Sequence, residues 1–347
     1  MHIQSIARRA LTYVLPLLAS AAMAQADNAL LLASGPERAS QLVAAAKAEG
    51  AVTLYTSIAG RDLKPLLKPF EEKYGIKVTV WRASGDSVMN RVINESKASR
   101  AGADIVHAGV VELEVLRREK LLQPVNSPYF VDLLQGSVAP GKEWAATIYS
   151  MWVQAYNTNL VKKEDLPQSY QDLLDPRWKN KLGYEVENID WFAAVVKSMG
   201  EAKGVQFFRD LSKGNGISVR KGHSNLNGMV AAGEVPMALT VYNYMPEQLK
   251  GKGAPIDWTV LQPAVVRANA VGVVKGAKNA AAAALLEDYL LSDAQATYAK
   301  LSYLPASKKI KSALDSYKIL VVDPSESLDG RERWKNLYDE IIIKGSK

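Results

Sequence analysis

Residues 51–82, AVTLYTSIAGRDLKPLLKPFEEKYGIKVTVWR, decide the fold. Val52-Thr53-Leu54-Tyr55 is short, apolar and bounded by polar residues, which predicts a strand. Thr56 to Gly60 follows as a loop of small and polar residues. Leu63, Leu66, Leu67, Phe70 and Tyr74 then recur at helical spacing and stop at Gly75. Pro65 and Pro69 fall inside that pattern and predict a late start or a kink. Lys77 to Trp81 alternates as a second strand. A strand, a helix and a strand in so short a span imply a parallel sheet covered by helices.

The alternation continues on both sides. Upstream, residues 25–34 read as a loose leader. Pro36 then opens a helix through Leu42, Val43 and Ala46 that ends at Gly50. Downstream, Ser84-Gly85-Asp86-Ser87 offers caps for a helix carrying Val88, Val92 and Ile93. Asp104-Ile105-Val106 is a strand before a helix through Leu113 and Leu116. Trp152 to Tyr156 and Val235 to Val241 read as strands. Tyr170 to Leu174, Trp191 to Met199 and Ala280 to Leu291 read as helices. No internal sequence repeat is detectable. The chain has 347 residues, a length that fits two α/β lobes, each able to bury its own core.

Composition narrows the function. With 48% hydrophobic and 23% charged residues, the chain is an ordinary globular one. It has no cysteine, which excludes disulfides, thiolate metal sites and cysteine nucleophiles. The first 24 residues read as a secretory signal: Arg8 and Arg9, an apolar stretch from Ala10 to Leu18, and Ala22-Met23-Ala24 as the cleavage site. The apolar stretch is too short to span a bilayer and Pro16 interrupts it. Cleavage would take two arginines away and reduce the net charge from +7 to +5. The remaining basic residues are scattered. Even the densest tract, Lys308-Lys309-Ile310-Lys311, reads as a solvated helix face, so nucleic acid is disfavoured as a partner.

Catalytic signatures are missing. There is no G-x-S-x-G, H-E-x-x-H or G-x-x-x-x-G-K-[ST]. Gly214-Asn215-Gly216 reads as a surface turn. His107 and His223 are the only histidines left after cleavage, too few for a multi-histidine zinc site. Three polar loops follow apolar strands: Thr56-Ser57, Ser84 to Ser87, and the region of His107. In open α/β sheets, ligands sit beyond the carboxyl ends of strands, where hydroxyls and N–H groups at helix starts suit a polar solute. Capping and turn formation alone would also account for these residues.

Six segments carry a family resemblance. They are 52–57 (VTLYTS), 70–78 (FEEKYGIKV), 103–106 (ADIV), 156–160 (YNTNL), 173–179 (LLDPRWK) and 232–236 (AGEVP). Together they resemble periplasmic solute-binding proteins of ABC importers, in the group that contains ferric-ion receptors. The resemblance implies a type II periplasmic-binding-protein fold: two lobes, crossover strands, an interlobe ligand cleft and hinge closure. It implies an N-terminal lobe of residues 25–153 and 268–305, and a C-terminal lobe of 154–267 and 306–347.

Ferric receptors of this group use a histidine, a glutamate and two adjacent tyrosines, usually with a synergistic anion. Aligned by hand, those positions fall near Ala59, near Gly109, and on Asn243 and Tyr244, with Tyr242 one place early. Only Tyr244 is kept in place. The anion loop falls on 185–191, where Glu187 and Asp190 would repel an anion. Those acids could ligate a hard cation with the phenolates of Tyr242 and Tyr244, or hold an organic cation against Trp191 or a tyrosine. They could also simply face solvent. Arg61 and Arg267, placed on loops of the other lobe, keep an anionic or zwitterionic solute open.

The expectation is therefore a periplasmic, monomeric, non-enzymatic receptor that delivers iron(III) or a small organic ion to an inner-membrane ABC permease. It has no cofactor, any Fe3+ being cargo. The expected ligand contacts are Ser57, Ser84, Ser87, His107, Asp190, Trp191, Tyr242 and Tyr244. Tyr242, Tyr244 and Asp190 would be the metal donors if the cargo is iron. A sensor-kinase input protein is the main alternative, and a secreted hydrolase the lesser one.

Overall fold

The computed structural model describes residues 29–345; the expected signal segment, 1–24, lies outside them. In chain order the first part runs α1 (Arg38–Glu49), β1 (Ala51–Thr56), α2 (Gly60–Tyr74), β2 (Lys77–Arg82), α3 (Gly85–Lys97), β3 (Ile105–Gly109), α4 (Val110–Arg118), β4 (Leu122–Gln123) and the long β5 (Ala145–Asn157). The second part runs β6 (Leu182–Glu185), α5 (Ile189–Ser198), α6 (Glu201–Gly214), β7 (Ser218–Arg220), α7 (His223–Ala232), β8 (Met237–Tyr242), α8 (Tyr244–Lys250), β9 (Ile256–Thr259) and β10 (Ala264–Val274). Then come α9 (Ala280–Leu291), α10 (Ala294–Lys300), β11 (Leu304–Pro305), β12 (Ile319–Val321), α11 (Pro324–Asp329) and α12 (Arg331–Tyr338).

Two twisted sheets share one strand. Through Met151, β5 pairs antiparallel with β10; from Trp152 onward it pairs antiparallel with β8 and β9. The strand order is β2-β1-β3-β10-β5-β8-β6-β7. The parallel pairs predicted from the alternation are present, β1 with β2 and β3, and β6 with β7 and β8. The sheets are nevertheless mixed, because β5 and β10 cross between the two halves in opposite directions. The buried side chains form two clusters: one around Leu54, Phe70, Ile105 and Leu286, the other around Tyr184, Trp191, Phe192 and Phe208. No helix among the described residues is long and apolar enough to cross a membrane.

Several local expectations change. The helix with two prolines is continuous from Gly60 to Tyr74. Both prolines are exposed, so the carbonyls freed by their missing N–H groups face water, while Leu66, Leu67 and Phe70 anchor the opposite face. The leader is docked at Leu31, which is fully buried and accepts the Asn126 N–H at 2.8 Å. Residues 308–311 form a turn, not a helix face. Asn215 is buried: its amide bridges the Leu173 and Asp175 carbonyls at 2.7 and 2.9 Å.

Candidate functional site

A cavity of about 310 Å³ opens at the carboxyl ends of both sets of parallel strands. That location follows from the topology, since each parallel strand hands over to a helix at the same edge. From one side the lining includes Ser57 after β1, Arg82 and Ser84 after β2, and Gly109 and Glu112 where β3 becomes α4. From the other it includes Glu187 and Asn188 after β6, Gly222 and His223 after β7, and Tyr242 and Tyr244 around the end of β8. Ser150 of β5 and Arg267 of β10 complete it at the crossing strands. Every helix that follows a parallel strand points its N-terminus here, so the cavity gathers partial positive charge.

Local bonds hold these loops open. Ser84 caps α3, accepting the Ser87 N–H at 3.3 Å, and its Oγ lies 2.9 Å from Ser87 Oγ. Buried Glu185 accepts the N–H groups of Glu187 and Gly222 at 2.8 and 2.9 Å and the Asn188 amide at 2.9 Å. That one carboxyl thus fixes two rim loops, and burial raises its pKa. An aromatic run floors the cavity: His223 against Tyr242 at 4.3 Å, Tyr242 parallel to Tyr244 at 6.1 Å, and Tyr244 on Tyr303 at 4.3 Å. Tyr303 donates to Asp62 at 2.7 Å. Burial pushes Tyr242 up to about 12, against the opposing pull of Arg267, and lowers His223 to about 3. Both rings are therefore neutral at physiological pH.

The charged centre is Arg267, whose Nη2 donates to Glu112 Oε2 at 3.0 Å. Burial alone would depress the guanidinium, but the nearby Glu112 and Asp190 carboxylates hold it charged. Arg267 Nε is buried without a partner. Gly109 and Gly85 make room for this pair: a Cβ on Gly109 would overlap the Arg267 guanidinium and the Glu112 carboxylate, and one on Gly85 would overlap the same carboxylate. Across the cavity, Arg82 bonds only the Ile58 carbonyl, at 3.2 Å, and forms no ion pair among the described residues.

Of the eight expected contacts, the fold brings Ser57, Ser84, Tyr242 and Tyr244 together around the cavity. It does not bring the other four. His107 is buried in β3, a strand covered on both faces, with Nε2 2.7 Å from Thr147 Oγ1 and its pKa lowered by burial to about 4. Trp191 has no exposed surface and packs edge-on against Tyr170, Tyr184 and Phe208, because α5 turns its apolar stripe to the core. Asp190, one step round the same helix, does not line this cavity but two hollows beside α12, one of them shared with Glu112, Glu187 and Arg267. Ser87 faces an outer groove with Trp81 and Arg91. The three donors expected for iron are thus not assembled around one point. Arg267 lies on a crossing strand rather than a loop, and Arg61 is spent on Gln248, at 2.6 and 3.0 Å.

Arg82, Glu112 and His223 were not anticipated. Arg82 is the last residue of a strand and Glu112 sits in the first turn of the helix after another; the strand-end rule would have found both. His223 follows a strand of three residues, too short to register as a periodic pattern.

The model of the family described as bacterial extracellular solute-binding protein matches residues 103–322. The major ferric iron-binding protein of Neisseria gonorrhoeae is 29% identical over 182 residues, 50% of this chain and 54% of that protein; the chain thus spans about half the length of this relative. A putative 2-aminoethylphosphonate-binding periplasmic protein of Salmonella typhimurium is 24% identical over 318 residues, 85% of this chain and 89% of that one. The structure of the periplasmic binding protein AfuA from Actinobacillus pleuropneumoniae, with fructose-6-phosphate bound, superposes with a TM-score of 0.73 at 21% identity, over 85% of this chain and 99% of that one. The fold is the two-lobed fold of periplasmic binding proteins, and the chain belongs to the bacterial extracellular solute-binding protein family.

Proposed function

We propose that this protein is a periplasmic receptor that captures a small organic ion bearing an anionic group and passes it to an inner-membrane ABC permease, performing no chemistry itself. The lobes proposed are 25–153 with 268–305, and 154–267 with 306–347; the change of pairing partner at Met151 and Trp152 supports the division within β5. Hinge bending there would close the cleft on its solute.

One observation carries the choice of ligand. The position where the resemblance expects a ferric glutamate falls near Gly109, and the space a side chain on Gly109 would fill holds the Arg267 guanidinium. A metal ion at that point meets a guanidinium where an anionic ligand would be needed, already paired with Glu112 at 3.0 Å, whereas the unpartnered Nε of Arg267 can still donate to an oxyanion. Among the described residues, no group of three or more His, Asp or Glu side chains could hold a metal ion. The chain shares family features both with a ferric-ion receptor and with relatives named for phosphonate or sugar-phosphate ligands; Arg82, Arg267 and the converging helix starts favour the second kind.

Thermal shift tests this. Phosphonates, phosphate monoesters and carboxylates are screened beside ferric citrate. A hundredfold excess over Kd stabilises the fold by about 2.7 kcal/mol. The reading expects a shift with at least one organic anion, and a colourless protein with ferric citrate. Visible phenolate-to-iron absorption with no organic shift would overturn it.

A further inference from the structure

The cavity carries charges of both signs, and most are unpaired. Arg82 and Arg267 face it together with Asp86, Glu112 and Glu187. Asp86 and Glu187 have no salt-bridge partner among the described residues, and Arg82 bonds only a carbonyl. Asp86 comes from the first turn of α3 and Glu187 from the loop before α5, so opposite walls each present a free carboxylate. A simple anion would meet three carboxylates and a simple cation two guanidinium groups. Neither could satisfy this lining.

The pair formed by Glu112 and Arg267 sharpens the requirement. Both side chains are mostly buried, 15% and 17% exposed, and two glycines leave the space they occupy. An oxyanion seated on the remaining face of Arg267 lies beside the Glu112 carboxylate. Two anionic groups at that separation repel unless a donor stands between them or close by. Glu112, Asp86 and Glu187 also line the neighbouring trough of about 380 Å³, shared with Arg267 but not with Arg82, so Arg82 and the carboxylates reach the solute from different parts of the lining.

We infer that the solute is a zwitterion. Its anionic head binds Arg82 and Arg267, and its ammonium, a few bonds away, binds Glu112, Asp86 and Glu187. Glu112 is then the specificity-determining residue: it tethers Arg267 and requires a donor beside the anion. This rests on the organic-ion reading above. The ammonium would contact carboxylates from both walls and so favour the closed lobes.

Matched ligands test it by isothermal titration: 2-aminoethylphosphonate and β-alanine against ethylphosphonate, propionate and ethylamine. At least one aminated anion should bind about tenfold or more tighter than its plain counterpart, the worth of one charge-assisted hydrogen bond. Ethylamine should not bind. Glu112→Gln and Glu187→Gln, each close in shape to the native residue, should each cost the aminated ligand about tenfold more affinity than the plain anion. Equal affinity for the aminated and plain anions, or equal loss for both in the two variants, would overturn the zwitterion while leaving an organic-anion receptor standing. Binding of ferric citrate with none of the five ligands, or no binding at all, would overturn both.

Discussion

Replacing Arg267 with methionine separates the electrostatic account from a purely structural one. Methionine keeps most of the unbranched aliphatic stem that packs along β10, and removes the guanidinium that fills the space over Gly109. Two consequences follow from the geometry. First, the anionic head loses its charge-assisted hydrogen bonds to this residue, each worth about 1.5–3 kcal/mol, so affinity for the organic anion falls by a factor of about 10 to 150. Second, Glu112 loses the partner it holds at 3.0 Å and is left unpaired with its side chain 15% exposed. Its mostly buried carboxylate then costs about 1–3 kcal/mol of stability, at the low end if it turns to solvent. Adding Glu112→Gln to Arg267→Met should restore most of that stability without restoring affinity. Titration calorimetry reads the first effect and urea denaturation the second. If Arg267→Met binds the organic anion within about threefold of the wild type, the guanidinium does not hold the solute and the reasoning fails.

Further substitutions probe the neighbouring claims. Gly109 has φ −60°, which alanine adopts freely, so Gly109→Ala should lower anion affinity about tenfold by displacing Arg267, with a small effect on melting; unchanged affinity in calorimetry would count against the cradle. Trp191→Ala should cost about 3–5 kcal/mol by opening a cavity and leave Kd essentially unchanged, since the ring lies in the core; a selective loss of binding without destabilisation would return it to the cleft. Glu287 is 1% exposed, neither carboxylate oxygen has a partner, and burial raises its pKa well above the usual value. Its protonated form avoids the cost of burying a charge, so stability is lost as pH rises from the unfolded pKa toward the raised folded value, by up to about 1.4 kcal/mol per pH unit. Glu287→Gln should therefore be more stable than the wild type at pH 8 by a wider margin than at pH 5; parallel melting curves against pH would refute this.

Much of the fold was legible because local and global preferences agree. Val52 to Tyr55 is apolar enough for a buried strand, Gly50 and Gly75 adopt the left-handed conformation that ends a helix, at φ 72° in each case, and Ser84 caps as read. Tyr242 and Tyr244 came from the family resemblance, while the strand-end rule pointed to Ser57 and Ser84, which line the cavity because it forms where parallel strands stop. The rule failed for His107 because β3 is buried on both faces, so alternation carries no inward or outward sense. The resemblance misled for Trp191 because a helix start mixing Asp190 with Trp191 does not say which face turns to the cleft. Arg267 was misplaced for a different reason. Its partner Glu112 is 155 residues away, and no local pattern announces that β10 crosses back beneath Gly109.

Native mass spectrometry of the protein purified from its own cells tests the central claim most directly. The account predicts a retained adduct with the mass of a small organic zwitterion, lost in Arg267→Met. An adduct of one iron atom, with or without a carboxylate anion, would contradict it.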